Sequence, residues 1–580
     1  MKFSELVEAF ERIENVSSRT EMTAILGQVF QQCSSYEARL IAYLIQGRVS
    51  PAFVALEFGV GEKLLLEAIA QACDVDKSVV ESAVHNHGDF GLAAEVLVDN
   101  ASECLTIAQV FSGLLQVARI SGDDSQQAKI QSISEMISAM SPREVRYLVR
   151  IPLDRLRLGV RDPTVLDALS VGRVGNKSDR KQIERAYNLV SDLGLVSELY
   201  TRDGLEPLCE INVEVGNPVR PAQAARLSSG DEIVAKIGEC AVEPKFDGFR
   251  LQVHRNGHQV YIYSRNLEDM TGMFPEIAEA ARTRLSCDNV IFEGEAMAYD
   301  PDTLEFRPFQ VTVSRRRKHD IDRLSTDNPL KLICFDVLCV NGEDVTTYGY
   351  RERREKLLQI VQPNESIGVA ESIVTGIGSK IDSFFAEEVE SGLEGVIAKK
   401  LDAPYQAGKR GFNWIKLKRS YSVELSDTID CTVIGYWYGR GKRAQWGIGA
   451  ILAAVWDSNE GMLKTIARVG TGFSDEEWVA IRHLLDKNRS ETCPPEVDSS
   501  IIPDVWVHPI HVVEVLADEL TKSPNHTAGK GNDNSGHALR FPRVLGMPRM
   551  DKSPQDSTTV DEIEKMFQAQ NTGSAAEAQA

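Results

Sequence analysis

The spacing of apolar residues changes twice along the chain. As far as residue 220, segments such as "GEKLLLEAIAQAC" and "QIERAYNLVSDLG" place apolar residues at i, i+3, i+4 and i+7, which predicts amphipathic helices. The stretch "EVGNPVRPAQAARLSSG", with its prolines and glycines, then interrupts this pattern. We therefore predict an all-α domain over residues 1–220.

Beyond this boundary the apolar positions alternate as they do in strands. In "RLQVHRNGHQVYIYSRN", two β-rich runs meet at Asn256-Gly257, a strong hairpin signal. Further short strands alternate with helical segments, which predicts an α+β domain with a mainly antiparallel sheet over 221–424. Residues 425–560 are rich in strands and turns, as in a small all-β barrel, and 561–580 are predicted to be a disordered tail.

Composition and charge are those of a large soluble protein. Of its 580 residues, 43% are hydrophobic and 26% charged, and the net charge of −21 argues against indiscriminate coating of nucleic acid. The N-terminus lacks the pattern of a signal peptide, and the sequence has no apolar run of membrane-spanning length. Its ten cysteines form no C-x-x-C pair, which indicates reduced thiols and a cytoplasmic location, without zinc or disulfides.

Charged residues recur on the predicted strands of the middle domain. Residues two apart share a face of a strand, and buried charges require each other or a charged ligand. Edge strands with solvated faces would explain any single pair, whereas a shared polar cavity explains all of them together. The residues concerned are Glu243 with Lys245, Glu293 with Glu295, Lys416 with Lys418, and Lys399.

Lys245, in the strand "CAVEPKFDGFRLQVH", is the candidate nucleophile. A lysine attacks only when deprotonated, and its reference pKa is about 10.4. Desolvation and nearby cations such as Lys399, Lys416 and Arg250 would lower that pKa. The same cations would hold a polyphosphate and so position its α-phosphate for attack.

Two further groups would complete a nucleotide site. Glu295 and Glu394 supply carboxylates for Mg²⁺, which usually binds together with phosphates and few protein ligands. Phe335, in "CFDVL", offers a surface on which a base could stack, although burial in a plain core would explain it equally well.

Seven short motifs follow one another in a fixed order. "EPKFDGFR" has the form K-x-D-G-x-R, and the motifs after it are "SRN" (264–266), "FEGE" (292–295), "FDVL" (335–338), "EGVIAKK" (394–400), "WIKLK" (414–418) and "RFPRVLGMPRMDK" (540–552). K-x-D-G alone is a weak signal, but the ordered set is specific. The chain resembles ATP-dependent DNA ligases of the archaeal type, within the covalent nucleotidyltransferase superfamily. The helical third resembles their DNA-binding domain, for example in "LEFGVGEKLLLEAI" and "IPLDRLRLGVRDPTVLDAL".

The resemblance implies a fold and an activity. The three domains would be a helical DNA-binding domain, an ATP-grasp-like adenylation domain and an OB-fold barrel. Lys245 would attack the α-phosphate of ATP to give lysyl-AMP, and the AMP would move to the 5′-phosphate of a nick in duplex DNA. Attack by the 3′-hydroxyl would then seal the nick, as DNA replication, repair and recombination require.

The resemblance also implies roles for individual residues. Glu243 would contact the adenine, Phe335 would stack on it, and Lys399 would lie near the α-phosphate. Ribose or phosphate contacts would come from Arg250 and Arg265, a ribose or metal contact from Glu295, and further phosphate contacts from Arg410, Lys416 and Lys418. The leaving pyrophosphate would be oriented by a barrel that swings between two positions, through Arg540, Arg549, Asp551 and Lys552.

Nicked double-stranded DNA is the implied partner of a monomeric enzyme. Three basic runs suit sequence-independent phosphate contacts, although such runs are usually solvated surface: "SRRRKH" (314–319), "GKRGFNWIKLKRSY" (408–421) and "YGRGKR" (438–443). Some archaeal relatives carry a sliding-clamp peptide before the segment that matches "CLTIAQVFSGLLQVA". The residues here, "VLVDNASE", do not fit it, so clamp binding through that peptide stays open.

Alternatives within and outside the enzyme class remain. An RNA ligase or an mRNA capping guanylyltransferase shares K-x-D-G but is not expected to carry a helical module over residues 1–220. A non-catalytic DNA-binding scaffold would explain the fold, yet every charged motif position is present here. ATP is the expected nucleotide, since no NAD-specific domain is visible, and Mn²⁺ could stand in for Mg²⁺.

Overall fold

The computed structural model describes most of the chain, in two compact units. One unit comprises Met1–Ala83 with Phe90–Arg419, and the other comprises Val84–Asp89 with Ser420–Ala580. The described residues are 1–16, 18–99, 104–153, 156–300, 305–307, 311–312, 315, 321–391, 393–418, 428–439, 441–517, 519–531, 535–549 and 552–576, without the side chains of 322, 390, 418, 441–442 and 569–576. No helix in these ranges is both long enough and apolar enough to cross a membrane.

The N-terminal part of the first unit is helical. In α1, Leu6, Phe10 and Ile13 recur at helical spacing and are fully buried, which is why this face packs inward. Capping boxes start several helices, as where Ser34 and Glu37 satisfy each other's backbone N–H groups. The helices are α1 Phe3–Glu14, α2 Arg19–Gln32, α3 Ser35–Ile45, α4 Glu62–Cys73, α5 Lys77–His87, α6 Phe90–Leu97, α7 Ile107–Arg119, α8 Ser125–Ser138, α9 Pro142–Leu148, α10 Asp162–Val174, α11 Arg180–Val190, α12 Leu193–Asp203 and α13 Glu206–Cys209.

Two sheets form the rest of this unit. The first has the strand order β1-β11-β10-β2-β9, antiparallel except where β1 runs parallel to β11. The second has the order β4-β3-β5-β6-β7, with β8 parallel to β6. The strands are β1 Gln223–Arg226, β2 Cys240–Lys245, β3 Phe249–Asn256, β4 Gln259–Ser264, β5 Asn289–Ala298, β6 Leu330–Val340, β7 Glu343–Asp344, β8 Ile367–Val369, β9 Ile373–Thr375, β10 Gly395–Lys400 and β11 Arg410–Lys418.

Local sequence accounts for the turn and the helices that support these sheets. The expected hairpin is confirmed: Asn256 pairs with Gln259 across a turn in which Gly257 has φ +58°. The Arg353 guanidinium holds α17 against β6 by a fully buried, two-pronged contact with Asp336, at 2.8 and 3.0 Å. The helices are α14 Gly230–Ile237, α15 Pro275–Thr283, α16 Ile321–Asp327, α17 Tyr350–Ile360 and α18 Gly378–Glu390.

The segment between the helices and the first sheet is fixed by side chains of the sheets. The Gln252 amide both accepts from Val219 N (2.7 Å) and donates to Val219 O (3.0 Å). Arg250 Nη1 donates to Ala222 O at 2.6 Å, while the Tyr405 hydroxyl accepts from Ala222 N at 2.8 Å. Buried backbone groups that no strand partner satisfies are thus satisfied by these side chains.

The second unit is rich in strands. Its larger sheet has the order β15-β17-β12-β13-β14-β16, with β18 pairing with β12 and β21, and β19 pairs with β20 apart from it. The elements are β12 Ile429–Trp437, β13 Ala450–Asp457, β14 Met462–Val469, α19 Asp475–Asp486, β15 Arg489–Ser490, β16 Val497–Asp498, β17 Val505–Val507, β18 Val512–Leu516, β19 Glu519–Ser523, β20 Gly536–Arg540, β21 Arg543–Val544 and α20 Val560–Ala576.

Helix α20 corrects the expectation of a disordered tail over 561–580. The chain is helical as far as Ala576, and residues 577–580 lie outside the described part. Ile563 is fully buried, and Met566 and Phe567 pack against the same core at i+3 and i+4. These apolar residues anchor α20 to the core. The low-complexity end of the segment dominates its composition, and the sequence therefore predicted disorder.

We expect Ile563→Ala to lower the free energy of unfolding of the second unit by about 2–5 kcal/mol, because it leaves a cavity in a packed core. Pulse proteolysis of the full chain across a urea series measures this change. Lys565→Ala, at an exposed position of the same helix, is the matched control and should shift the stability by less than about 0.5 kcal/mol. Equal shifts in the two variants would show that α20 does not stabilise the unit.

Candidate active site

A cavity of about 310 Å³ lies between the two sheets of the first unit. Strands β2, β10 and β11 of one sheet and β3, β5 and β6 of the other contribute side chains to it. A cavity of this size suits a small polar ligand held by a few placed groups. It brings together nine of the residues expected at a nucleotide site, namely Glu243, Lys245, Arg250, Arg265, Glu295, Phe335, Lys399, Arg410 and Lys416.

Lys245 ends β2 and forms an ion pair with Glu394. The pairing of β2 with β10 sets Lys245 opposite Gly395, so the residue before β10 reaches the lysine. Glu394 N also donates to Lys245 O at 3.1 Å, which fixes the two backbones side by side. Both side chains are 19% exposed, and the ammonium group is therefore held at the cavity wall by a carboxylate.

The expectation that cations crowd Lys245 is corrected by this arrangement. Lys399 Nζ lies 2.7 Å from Glu243, and Arg250 Nη2 lies 2.9 Å from Glu293. A buried cation without a counter-ion is costly, so these cations are paired within the walls. Glu293, which is fully buried, does not line the cavity with Glu295 but lies in the wall behind it.

Glu243 is the centre of a buried cluster at one end of the cavity. Its Oε2 accepts from Lys399 Nζ, and its Oε1 accepts from Arg354 Nη1 at 2.9 Å and from the Tyr350 hydroxyl. Lys399 Nζ also donates to Phe335 O at 2.7 Å. Burial lowers the pKa of Lys399, while Glu243 acts in the opposite direction.

The position of Lys399 differs from the expected one beside the α-phosphate. Lys399 pairs with Ala241, whereas Gly395 pairs with Lys245, so four residues separate the two points on β10. At about 3.3 Å per residue, this is about 13 Å along the strand. The described Nζ contacts Glu243, not Lys245, and so belongs to the other end of the cavity.

Aromatic rings line the same end. The Phe335 and Trp414 rings meet edge to face, with centroids 6.0 Å apart, and the Arg250 guanidinium lies 5.4 and 5.3 Å from their centroids. Lys399 Nζ lies 4.9 Å from the Phe335 centroid and 4.6 Å from that of Trp414. Phe335 is only half-buried and lines the cavity, so it offers a ring surface while also packing against its neighbours.

Glu295 also lines the cavity and pairs with Arg250 across β5 and β3. Its Oε1 accepts from Gly248 N at 3.2 Å, in the turn that follows Lys245. Burial raises the pKa of Glu295 to about 7, although Lys245 and Arg250 act to lower it. The carboxyl group therefore changes its charge near neutral pH.

The outer rim carries cations. Arg265 follows β4 and is exposed, Arg410 starts β11 and is exposed, and Lys416 is half-buried on β11. Arg410 Nη2 contacts Gln223 Oε1 at 3.4 Å. The Lys418 side chain lies outside the described part of the chain. The rim thus presents positive charge around a cavity that holds Lys245.

The expected C-terminal set lies in the second unit. Arg540 forms an ion pair with Glu519, and Lys552 forms one with Asp430. Arg549 N donates to Val512 O at 2.7 Å, which ties the motif to β18. Asp551 lies outside the described residues.

One basic run has a residue that serves the fold. Arg315, in the run 314–319, is 1% exposed and donates to Glu276 at 2.6 Å and to the carbonyls of Leu324 and Asn328 at 2.8 and 2.9 Å. The prediction that Arg315 contacts phosphate is therefore wrong, because its N–H groups already donate to partners inside the protein. The other residues of that run lie outside the described part.

Sequence reasoning missed several residues of the site. Trp414 shares a strand face with Lys416, so the alternation of "WIKLK" could have indicated it. Tyr405, whose hydroxyl donates to Glu293 at 2.8 Å, lies in a loop and has no such signal. Tyr350 and Arg354 lie on a helix distant in sequence from Glu243, so only the fold brings them together.

Known proteins share these features over nearly the whole chain. The family models "DNA ligase N terminus", "ATP dependent DNA ligase domain" and "ATP dependent DNA ligase C terminal region" match residues 2–170, 221–418 and 444–552. A probable DNA ligase of Dictyoglomus turgidum is 48% identical over 570 residues, which cover 98% of each chain. A DNA ligase of Sulfophobococcus zilligii is 39% identical over 586 residues, covering 97% of this chain and 96% of the other.

A solved structure shares the fold. The structure named Pmar-Lig_PreS3 aligns with a TM-score of 0.54 at 17% identity, covering 93% of this chain and 98% of that one. At this identity the likeness concerns the fold alone. It supports the multidomain architecture expected from the sequence.

The raised pKa of Glu295 predicts a stability effect that depends on pH. Because the folded-state pKa of about 7 exceeds the ordinary value of 4.5, protonation favours the folded state. This contribution is fully present below about pH 4 and is lost as the pH rises through about 7. Glu295→Gln removes the titration, so we expect its melting temperature to rise relative to wild type between pH 5 and pH 8. Parallel thermal scans check this, and a difference that stays constant with pH would contradict it.

Proposed function

The chain belongs to the family of ATP-dependent DNA ligases, and on this basis we propose that it joins DNA ends through an AMP carried by Lys245. The observation that carries the proposal is a lysine at the end of β2, facing a cavity with aromatic rings at one end and cations at its rim. The matches also support the resemblance to archaeal DNA ligases. A family match over residues 2–170 favours a DNA ligase over an RNA ligase or a capping enzyme, which were the alternatives.

In the first step, Lys245 Nζ attacks the α-phosphorus of ATP. A bond forms between Nζ and phosphorus, the bond from the α-phosphorus to the bridging oxygen breaks, and pyrophosphate leaves. Nζ needs a free electron pair for this, so its contact with Glu394 has to open and the partly exposed ammonium group has to pass one proton to water. The open rim lets nucleotide enter and pyrophosphate leave on the same side.

In the later steps AMP is first a transferred group and then a leaving group. An oxygen of the 5′-phosphate at a nick attacks the AMP phosphorus, and the Lys245 Nζ–phosphorus bond breaks. The 3′-hydroxyl then attacks the activated 5′-phosphorus, a phosphodiester bond forms, and AMP leaves. Each step is phosphoryl transfer, so positioning and charge neutralisation supply most of the rate.

The residues of the cavity have different roles in binding the nucleotide. Phe335 offers a face for the adenine ring, with Glu243 beside it as a hydrogen-bond acceptor. Lys416 lines the cavity on β11, and the rim arginines add positive charge for phosphates. In the second unit, which we propose to be an OB-fold, the leaving pyrophosphate would be oriented by Arg540, Arg549, Asp551 and Lys552.

Two carboxylates near Lys245, of which Glu295 lines the cavity and Glu394 contacts the lysine, are candidates to hold a divalent cation. Among the described residues no cluster of three or more His, Cys, Asp or Glu side chains that could hold a metal ion occurs. Mg²⁺ that arrives with phosphates needs only one or two carboxylates, and Glu295 and Glu394 are the candidates. Bound there, it would neutralise charge on the phosphates.

Lys245→Ala should abolish the covalent label that wild type acquires from α-labelled ATP, because it removes the nucleophile. A denaturing gel measures the label. Lys400→Ala, an exposed lysine on β10, is the matched control and should keep it. Label that never attaches to wild type, or that persists in Lys245→Ala, would overturn the proposal, and sealing of a nick in DNA compared with RNA would identify the strand that is joined.

Removal of divalent metal should stop labelling, and added Mg²⁺ should restore it. Because two carboxylates are the candidate ligands, Glu295→Gln and Glu394→Gln should each raise the Mg²⁺ concentration for half-maximal labelling about tenfold. Glu387→Gln, exposed on α18, should leave that concentration unchanged. The same Mg²⁺ requirement in all three variants would exclude both carboxylates as ligands.

A further inference from the structure

Helix α17 places two side chains behind Glu243. Tyr350 and Arg354 are one turn apart, so they lie on the same helix face, and neither lines the cavity. The Tyr350 hydroxyl and Arg354 Nη1 both donate to Glu243 Oε1, the latter at 2.9 Å. Glu243 itself is 2% exposed and does line the cavity. A residue of the cavity wall is therefore held from the protein side by a helix.

These contacts use most of the acceptor capacity of Glu243. An ionised carboxylate accepts about four hydrogen bonds and donates none. Two donors occupy Oε1, and Lys399 Nζ, at 2.7 Å, occupies Oε2. What Glu243 can still offer to a ligand in the cavity is acceptance of a further hydrogen bond.

The Tyr350 hydroxyl and the Arg354 guanidinium act only as hydrogen-bond donors toward Glu243. Burial raises the pKa of Tyr350 well above its ordinary value, and Glu243 adds to this, so the hydroxyl keeps its proton and donates. The Arg354 guanidinium has no acceptor and is fixed from its other side, since Nη2 donates to Ala370 O at 2.7 Å. The Glu243 carboxylate, which contacts both Arg354 and Lys399, is therefore held in one position as an acceptor.

The neighbouring residue Arg353 is a comparison on the same helix, because its role is purely structural. Its contact with Asp336 is fully buried on both sides, and it ties α17 to β6 away from the cavity. Arg354 instead keeps 18% of its side chain exposed and reaches the one carboxylate of β2 that faces the ligand space. Arg353 thus stabilises the fold, whereas Arg354 holds Glu243 in place.

We propose that Arg354 and Tyr350 are positioning residues that set the choice of base, by holding Glu243 as an anionic acceptor beside the Phe335 and Trp414 rings. This rests on the proposed function of the cavity as a nucleotide site. A base with an exocyclic amine at this edge, as in adenine, donates to Glu243. A base with a carbonyl there, as in guanine, turns an acceptor toward an acceptor and is rejected.

The test compares nucleotides that differ in the group at this edge, and purine riboside triphosphate differs from ATP in that group alone. Wild type, Arg354→Met and Tyr350→Phe are given α-labelled ATP, GTP or purine riboside triphosphate, which lacks the amino group, and the kcat/KM of lysyl-nucleotide formation is measured. We expect wild type to favour ATP over both others. In each variant the preference for ATP over purine riboside triphosphate should fall about tenfold, the size of one hydrogen bond to a charged group.

Arg351→Met is the matched control. Arg351 lies on the same helix, is 51% exposed and contacts Glu239 only at 3.8 Å, so its loss should leave nucleotide preference unchanged. The thermal unfolding transition of each variant is recorded beside that of wild type. This readout separates a folding defect from a change in base choice.

The possible results are distinct. A preference for ATP that is unchanged in Arg354→Met and Tyr350→Phe overturns the inference, and so does a loss of labelling that is equal for all three nucleotides. If Arg354→Met does not give a folded protein, Tyr350→Phe, which loses a single hydroxyl, decides. If wild type forms no lysyl-nucleotide at all, it is the proposed function that fails.

Discussion

The cost of burying charge organises the first unit of this protein. Lysines, arginines and glutamates lie on strands that face each other, and a buried ion without a partner would cost several kcal/mol, on the order of the whole stability of a domain. The structure meets this cost by pairing: Lys399 with Glu243, Arg250 with Glu293, and Lys245 with Glu394. The walls of the cavity are therefore fixed by the same contacts that make burial of these charges possible.

This pairing gives the two ends of the cavity different properties. At the aromatic end, Glu243 is held by Lys399, Arg354 and Tyr350, and little can move without exposing a buried charge. At the other end, Lys245 and Glu394 are both partly exposed, so their contact can open at smaller cost. A rigid end and a yielding end of this kind suit the proposed transfer of a nucleotide to Lys245, with the base at the rigid end.

The sequence predicted much of the site because strand periodicity is a local property. The alternation of side chains along a strand is enough to place Glu243 and Lys245 on one face, and the ordered motifs identified the family. The sequence could not predict the partners, because ion pairs such as Lys245–Glu394 join residues on separate strands. The sequence-based interpretation therefore placed the cations next to one another, whereas Lys245, Arg250 and Lys399 each contact a carboxylate. The prediction that residues 561–580 are disordered failed for a related reason. A few apolar residues in α20 are a weak signal in the sequence, and they stabilise the helix only by packing against the core of the second unit.

The sequence by itself determined the helical and strand-rich parts, the place of Lys245 on one strand face with Glu243, and the family to which the chain belongs, because each depends on residue identity, order and local period. Only the tertiary structure decided which charge neutralises which, that Lys399 contacts Glu243 and not Lys245, and that Arg354 holds Glu243 from behind. These outcomes depend on the register between β2 and β10 and on the packing of α17. Register and packing are set by the whole core at once, so no short stretch of sequence contains them.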